Sequence, residues 1–362
     1  MRLAWRELLR RPGAFLVPMG TLLLLALLLL YPSALLDGIV GDGTAAMRNA
    51  SADLIVYARD ANGVILRSQV DPETRAAVAK VPGVARVSTF DVALFTGTVK
   101  GHDEPVGLAL LSSDRAIDSA RPKPGEAYVD ASLRGRAGVE EGKTLLVGPF
   151  AVPVKVVGFT HGTNLLFSAG FVVDKRTWLA AWGSTPDGDL TTAPSQALLV
   201  RVGEGQDAGE IADAIDRATR DTTETFSRSA AVRAMPGVKQ QEATFGYIRV
   251  VTLGVALLVV GLFLSFVTLE RAPLYAVMKA VGASSRQLFG GMVFQVLGIT
   301  DLALYLAALL TWGLTRVLVD LPGEMRMSRF IQTAVALRTA ALVGAALSLR
   351  RVARIDPAEA IG

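Results

Sequence analysis

Long charge-free runs lie at both ends of this 362-residue chain, and its middle breaks into short alternating segments. From Pro12 to Leu36 no residue carries a charge, and the run contains Leu22–Leu25 and Leu27–Leu30. About 20 apolar residues cross a hydrocarbon layer, so this stretch spans it with room for tilt. No small-x-small cleavage site follows before Asp37, which predicts an uncleaved span rather than a signal peptide. A second run, Val250 to Leu269, lies between Arg249 and Glu270; a third, Gln287 to Thr315, is interrupted only by Asp301; a fourth, Phe330 to Leu349, only by Arg338. One such run also suits a buried helix of a soluble core, but four together predict an α-helical membrane protein with spans at 12–36, 245–269, 287–315 and 330–349.

Basic residues orient these spans. Arg2, Arg6, Arg10 and Arg11 precede the first, Arg271, Lys279 and Arg286 lie between the second and third, and Arg350, Arg351 and Arg354 follow the fourth. The short loop 316–329 on the other side carries Arg316, Arg326 and Arg329. The positive-inside rule then predicts both termini in the cytoplasm and the segment 37–244 outside.

That outer segment reads as α+β. Strand patterns fall at Asp53–Tyr57, Val84–Val92 and Gln196–Val202, and helical ones from Asp71-Pro72 to Val81 and over Ala208–Arg220. Shorter strand patterns, Val106–Leu111, Glu126–Val129, Thr144–Val147, Val152–Phe159 and Gly170–Val173, lie between them. The order predicts two strand–helix units around a β-rich insertion near 107–194.

Composition sharpens this picture. Hydrophobic residues make up 51% of the chain and the mean hydropathy is +0.42, too apolar for a purely soluble protein. Between Asp37 and Thr244, 22 Lys and Arg face 26 Asp and Glu, net −4; the rest carries 15 against 7, net +8. The basic surplus therefore flanks the membrane, which argues against a nucleic-acid partner. The absence of cysteine excludes disulfides, thiolate metal sites and lipid attachment at cysteine.

The outer segment offers no catalytic constellation. Gly142-Lys143-Thr144 lacks the first glycine of a phosphate-binding loop, because Ala137 stands where it is needed. His102 and His161 have no metal-ligand spacing, and no spacing marks a nucleophile and base. The chain is expected to be non-enzymatic, with no cofactor.

Three segments at the membrane's inner face carry more information. Residues 1–11 place Ala4, Trp5, Leu8 and Leu9 on one arc and Arg2, Arg6 and Arg10 on the other; this helix either lies in the interface or extends the first span. Within 270–286, Leu274, Val277, Met278 and Val281 recur at helical spacing, Gly282 stops the helix, and Ser284 with Gln287 forms a capping box for the third span. The apolar face of this short helix needs a partner, lipid or protein. In the tail, 350–362, Asp356 as N-cap, Pro357 at the first helical position and Glu359 at the third form a helix start.

Glu270-Arg271, Ala276 to Ala283, Arg286-Gln287-Leu288 and the tail Arg350 to Ala360 together resemble the FtsX-like permease family, membrane subunits of macrolide-exporter and lipoprotein-releasing ATP-binding cassette systems. Order and topology agree, and Pro273-Leu274-Tyr275 departs from the family's more charged pattern. The resemblance implies a permease in a bacterial inner membrane, paired with a second permease copy and bound to cytoplasmic ATPase subunits, in some systems with a periplasmic adaptor. Leu274, Val277, Met278, Lys279, Val281 and Gly282 would form the coupling helix, and the spans would relay ATPase closure to the outer domain by mechanotransmission. The function expected is export or extraction of a hydrophobic or amphipathic substrate; the alternative is signalling to an extracytoplasmic cell-wall hydrolase.

Asp301 is the middle residue of the third run, and Arg338 is near the middle of the fourth. On insertion scales each charge alone costs roughly 2.5–3.5 kcal/mol at a helix centre. A direct Asp301–Arg338 pair is the expectation, against a water-lined cleft between two copies or a protonated Asp301 beside a snorkelling Arg338.

Overall fold

One strand, Val84–Val99, sets the architecture of the middle part of the chain because it belongs to two sheets in succession. The computed structural model describes residues 12–102, 104–184, 190, 193–270, 277, 281, 284–317 and 326–353. Its strands are β1 (Leu54–Ala58), β2 (Val84–Val99), β3 (Val106–Ser112), β4 (Glu126–Asp130), β5 (Thr144–Val147), β6 (Val152–Thr160), β7 (Ala169–Val173), β8 (Ala197–Val202) and β9 (Thr223–Ser227). Its main helices are α1 (Pro12–Gly43), α2 (Pro72–Ala79), α3 (Lys175–Ala181), α4 (Ala208–Ala218), α5 (Arg228–Ala234), α6 (Val238–Glu270), α7 (Ser285–Val317) and α8 (Met327–Ala353). Two units result: Val40–Gln240, named the outer unit for the side that the sequence predicts, and Met1–Ile39 together with Gln241–Gly362.

In the outer unit the first half of β2 pairs antiparallel with β8, and β1 lies between β8 and β9. β1 is apolar on both faces. Leu54 and Val56 meet Val78 of α2 and Ile211 and Ile215 of α4, while Ile55 and Tyr57 face a second core with Phe90 and Leu199. Strand side chains alternate between faces, so burial on both sides removes the usual polar positions. The helices start on carboxylate caps: Asp71 accepts from Thr74 N at 2.6 Å, and Asp207 accepts from Gly209 N and Glu210 N at 2.7 and 3.0 Å.

Beyond Phe90, β2 leaves β8 and pairs with β3 over Asp91–Gly97 and with β5 over Gly97–Val99. β3 continues to β7 in parallel, β7 to β4 antiparallel, β4 to β6 in parallel and β6 to β5 antiparallel. Six strands thus close into a ring without free edges. Leu108, Leu110, Val129, Leu145 and Phe171 fill its interior and are fully buried. Gly97 pairs with Val106 on one side and Val147 on the other, and a Cβ there would meet Leu108 Cδ1 at 2.6 Å. The ring takes in Asp91–Val99, upstream of the start near Gly107 that the sequence pattern predicts.

Asp91 sits where β2 changes partners. Lys175 Nζ is 2.8 Å from its Oδ2, Gln196 N donates to its Oδ1 at 3.1 Å, and Val92 N donates to Gln196 Oε1 at 2.5 Å. Burial pushes the Asp91 carboxyl up from its ordinary range, while the Lys175 ammonium and the Gln196 amide pull it back.

The other unit is a bundle of α1, α6, α7 and α8. All four contribute to one apolar cluster, with Leu25, Ala26, Leu29 and Leu30 of α1, Ala256 of α6, Leu304 and Ala307 of α7, and Ala334 and Leu337 of α8. Alanine on each partner lets the backbones approach closely, the habit of helices packed in lipid. Among the described residues three helical stretches are long and apolar enough to cross a membrane: Met19–Gly43, Gln240–Val259 and Val293–Val317. α8 is of comparable length, and Arg338 interrupts its apolar surface.

Candidate functional site

Two carboxylate–guanidinium pairs lie among the described residues of the helix bundle. α7 and α8 pack side by side, and Arg338 Nε donates to Asp301 Oδ1 at 2.7 Å. Leu304, Tyr305, Phe330 and Ala334 line a shallow cavity of about 170 Å³ beside them. Both charged side chains are about half exposed, Asp301 at 47% and Arg338 at 49%. The pair therefore faces outward from the bundle.

The second pair, Asp37 with Arg329, is absent from the sequence reading. Arg329 Nε lies 3.4 and 3.2 Å from the two Asp37 oxygens, and the Asp37 side chain is only 5% exposed. The charge pattern marks Asp37 as the end of the first span and Arg329 as part of an external loop. In the structure α1 continues to Gly43 and α8 already starts at Met327, so both residues lie on helices. Ile39 and Val40 carry the apolar pattern past Asp37, and this was the available signal.

The last turn of α1 and the segment after it are held within the outer unit. Ala46 N donates to Asn164 O at 2.9 Å, Asn164 Nδ2 donates to Asp42 Oδ1 at 2.8 Å, and Asn49 Nδ2 donates to Gly162 O at 3.0 Å. The loop that receives these bonds is itself fixed: Thr163 N and Oγ1 donate to Asp130 Oδ2 at 2.9 and 3.0 Å. At the other end of the unit, Val238 opens α6 from within the core that contains Met47 and Tyr57.

Of the expected coupling residues, Val277 and Val281 are described. Val281 N donates to Val277 O at 3.0 Å, a helical turn, and both side chains are exposed, at 55% and 84%. Leu274, Met278, Lys279 and Gly282 lie outside the described residues, as do residues 1–11 and the tail cap Asp356, Pro357 and Glu359. α7 begins at Ser285, directly after the expected cap residue Ser284.

Residues 247–357, which hold most of α6 and all of α7 and α8, match the family model described as FtsX-like permease C-terminal. An uncharacterized ABC transporter permease of Mycobacterium tuberculosis H37Rv is 27% identical over 374 residues, covering 99% of this chain and 97% of that protein. A putative hemin transport system permease protein HrtB of Staphylococcus epidermidis is 26% identical over 106 residues, 29% of this chain and 30% of that protein. Among solved structures, the periplasmic region of MacB from Actinobacillus actinomycetemcomitans covers 50% of this chain and 91% of its own, at 10% identity and a TM-score of 0.36. With apolar helices long enough to cross a membrane, the chain is similar along its whole length to ABC transporter permeases, and its residues 247–357 match the FtsX-like permease C-terminal family.

Proposed function

We propose that the chain is the non-catalytic membrane subunit of an ATP-binding cassette system that works by mechanotransmission, exporting or extracting a hydrophobic or amphipathic substrate. The observation that carries this reading is the FtsX-like match over residues 247–357, which includes the exposed turn at Val277 and Val281. In this reading α1, α6, α7 and α8 are four spans, both termini are cytoplasmic, and Val40–Gln240 lies outside a bacterial inner membrane. Leu274, Val277, Met278, Lys279, Val281 and Gly282 dock on the ATPase, and the tail cap at Asp356, Pro357 and Glu359 lies on the same cytoplasmic side. Two permease copies share the ATPase pair, with a periplasmic adaptor as a further partner, and α6 offers the second copy an apolar face of Val250, Val251, Val255, Leu258 and Leu262.

Two features support a mechanical relay. α1 is unbroken from Pro12 to Gly43, and Asp42 in its last turn is bonded to Asn164. In this reading, displacement of α1 is passed to the loop that Asn164 belongs to. The Asp301–Arg338 pair has a structural role here, holding α7 and α8 in register while the ATPases cycle.

The test uses the chain tagged and purified from its native membrane. A cytoplasmic ATPase should co-purify, and Val281→Glu or Met278→Glu should release it while the permease stays in the membrane. Burying an unpaired carboxylate costs on the order of a few kcal/mol, enough to open a modest interface. Unchanged co-purification would reject the docking assignment, and the absence of any ATPase in the wild-type preparation would reject the function.

A further inference from the structure

The outer unit contains a cavity of about 520 Å³ whose walls carry more positive charge than the chain neutralises. Its floor is one face of the β2–β8 pair. Arg86, Ser88 and Phe90 alternate along β2, and Leu199 and Arg201 along β8, as side chains on a common face must. Arg86 is directly opposite Arg201 in the strand register. Like charges in that position repel and destabilise a sheet unless something lies between them.

Two more arginines stand across the floor. The turn Ile117–Ala120 is closed by a bridge between its ends, and Arg115 and Arg121 flank it, both lining the cavity. Asp118 and Ser119, the central residues of the turn, both have positive φ, 45° and 64°. Non-glycine residues adopt that backbone at a cost, so the tight turn is held in place by its surroundings. One holding contact is His161 N, which donates to Asp118 Oδ2 at 2.8 Å.

Neutralisation is incomplete. Among the described residues Asp118 is the one carboxylate in the lining, against four arginines. Arg201 has Asp53 at 3.6 Å. Among the described residues, Arg86, Arg115 and Arg121 have no carboxylate within ion-pair distance. Ala50, Ala116 and Ile117 add accessible apolar surface beside this cationic rim, and Phe90 and Leu199, 2% and 8% exposed, back it from the core. Guanidinium groups bind phosphate and carboxylate oxygens through paired hydrogen bonds, and an apolar surface takes a hydrocarbon body.

We infer that this cavity binds an amphiphile with an oxyanion head, the head among Arg86, Arg115 and Arg121 and the apolar body on Ala50, Ala116 and Ile117. The inference goes beyond the permease reading and needs no ATPase, so either can fail without the other.

The test uses the full chain in zwitterionic nanodiscs, with a polarity-sensitive fluorophore on Ser119→Cys, the single cysteine. The probes are octyl phosphate, octanol and inorganic phosphate. Octyl phosphate should give a saturable signal that weakens with added salt. Octanol should give none, and inorganic phosphate should bind about tenfold or more weakly because it leaves the apolar surface empty. Arg86→Gln with Arg115→Gln should weaken octyl phosphate by about tenfold or more, and the lysine versions should recover part of the loss. Arg67→Gln, outside the cavity, should bind as the parent does. Equal binding of octyl phosphate by the arginine-less variant, or of octanol by the parent, would overturn the inference. Equal binding of inorganic phosphate would overturn the amphiphile assignment and leave an anion site. To separate ligand loss from misfolding, octyl phosphate should raise the melting temperature of the parent and leave that of the double variant unchanged; stabilisation of both would also count against the site.

Discussion

In the outer unit Asp91 is 1% exposed and has both the Lys175 ammonium and the Gln196 backbone amide on its oxygens, whereas Asp301 in the helix bundle is 47% exposed with Arg338 alone. Asp37, 5% exposed and facing Arg329, falls between them. The closed environment makes a charge expensive to leave unpaired, and the chain supplies every partner itself. Around Asp301 the chain supplies one partner and leaves half the surface open. In water such a pair would be nearly neutral in energy; beside lipid it needs further covering, which a second copy can provide.

This contrast is sharpest at Lys175. Lys175→Met strands the Asp91 carboxylate and should destabilise the outer unit by about 3 kcal/mol at neutral pH, read from melting of the purified chain. The loss should depend on pH with a definite sign. Burial already raises the Asp91 carboxyl, and removing Lys175 raises it further. Between the ordinary carboxylate value of about 3.9 and this raised one, the folded variant holds a proton that the unfolded chain has released. Its stability therefore falls as pH rises through that window, and its deficit against wild type should shrink as pH is lowered. A deficit independent of pH would mean that packing of the Lys175 stem, and not charge, is at work.

Asp37→Asn comes next. It leaves the Arg329 guanidinium partly buried and unpaired, at a cost on the order of 2 kcal/mol. Asp37→Asn with Arg329→Met should regain most of the stability, and equal instability of single and double variants would remove this pair from the comparison.

The smallest coupling is expected at the half-exposed pair. Asp301→Asn should lower the membrane-inserted yield, and adding Arg338→Leu should restore most of it, with a coupling of about 1 kcal/mol or less. Single-variant losses that merely add would show that the two residues do not support one another. A coupling larger than that at Asp37 would reverse the ranking and place the pair in a covered interface.

Much of the outer fold is legible in the sequence because its strands are short apolar runs bounded by turn residues. β5 is found at the predicted Thr144–Val147, and β3, β4, β6, β7 and β8 within a residue or so of their predicted ends. β2 was cut at Val92, seven residues early. The strand continues because its second half finds new partners in β3 and β5, which the local pattern around Val92 does not show. Closure of the ring is hidden for the same reason: two of its pairings are parallel and join distant segments, and a strand's pattern says nothing about its neighbour. The face-to-face placement of Arg86 and Arg201 depends on that register too, so the basic cavity had no sequence signal. In the bundle, Asp301 and Arg338 stood out because each interrupts an apolar run, while Asp37 passed as a boundary.

The double membership of β2 also bears on how such proteins exchange parts. A segment inserted between two loops can be lifted out, leaving its host intact. Here the ring and the four-stranded sheet share one continuous backbone, and removing only residues 107–194 would strand Asp91–Val99 as an apolar ribbon with no neighbours. Transplanting the ring between relatives would have to cut at Phe90 and Ala197, the last rung before the strand changes partners, and carry Asp91, Lys175 and Gln196 as one set.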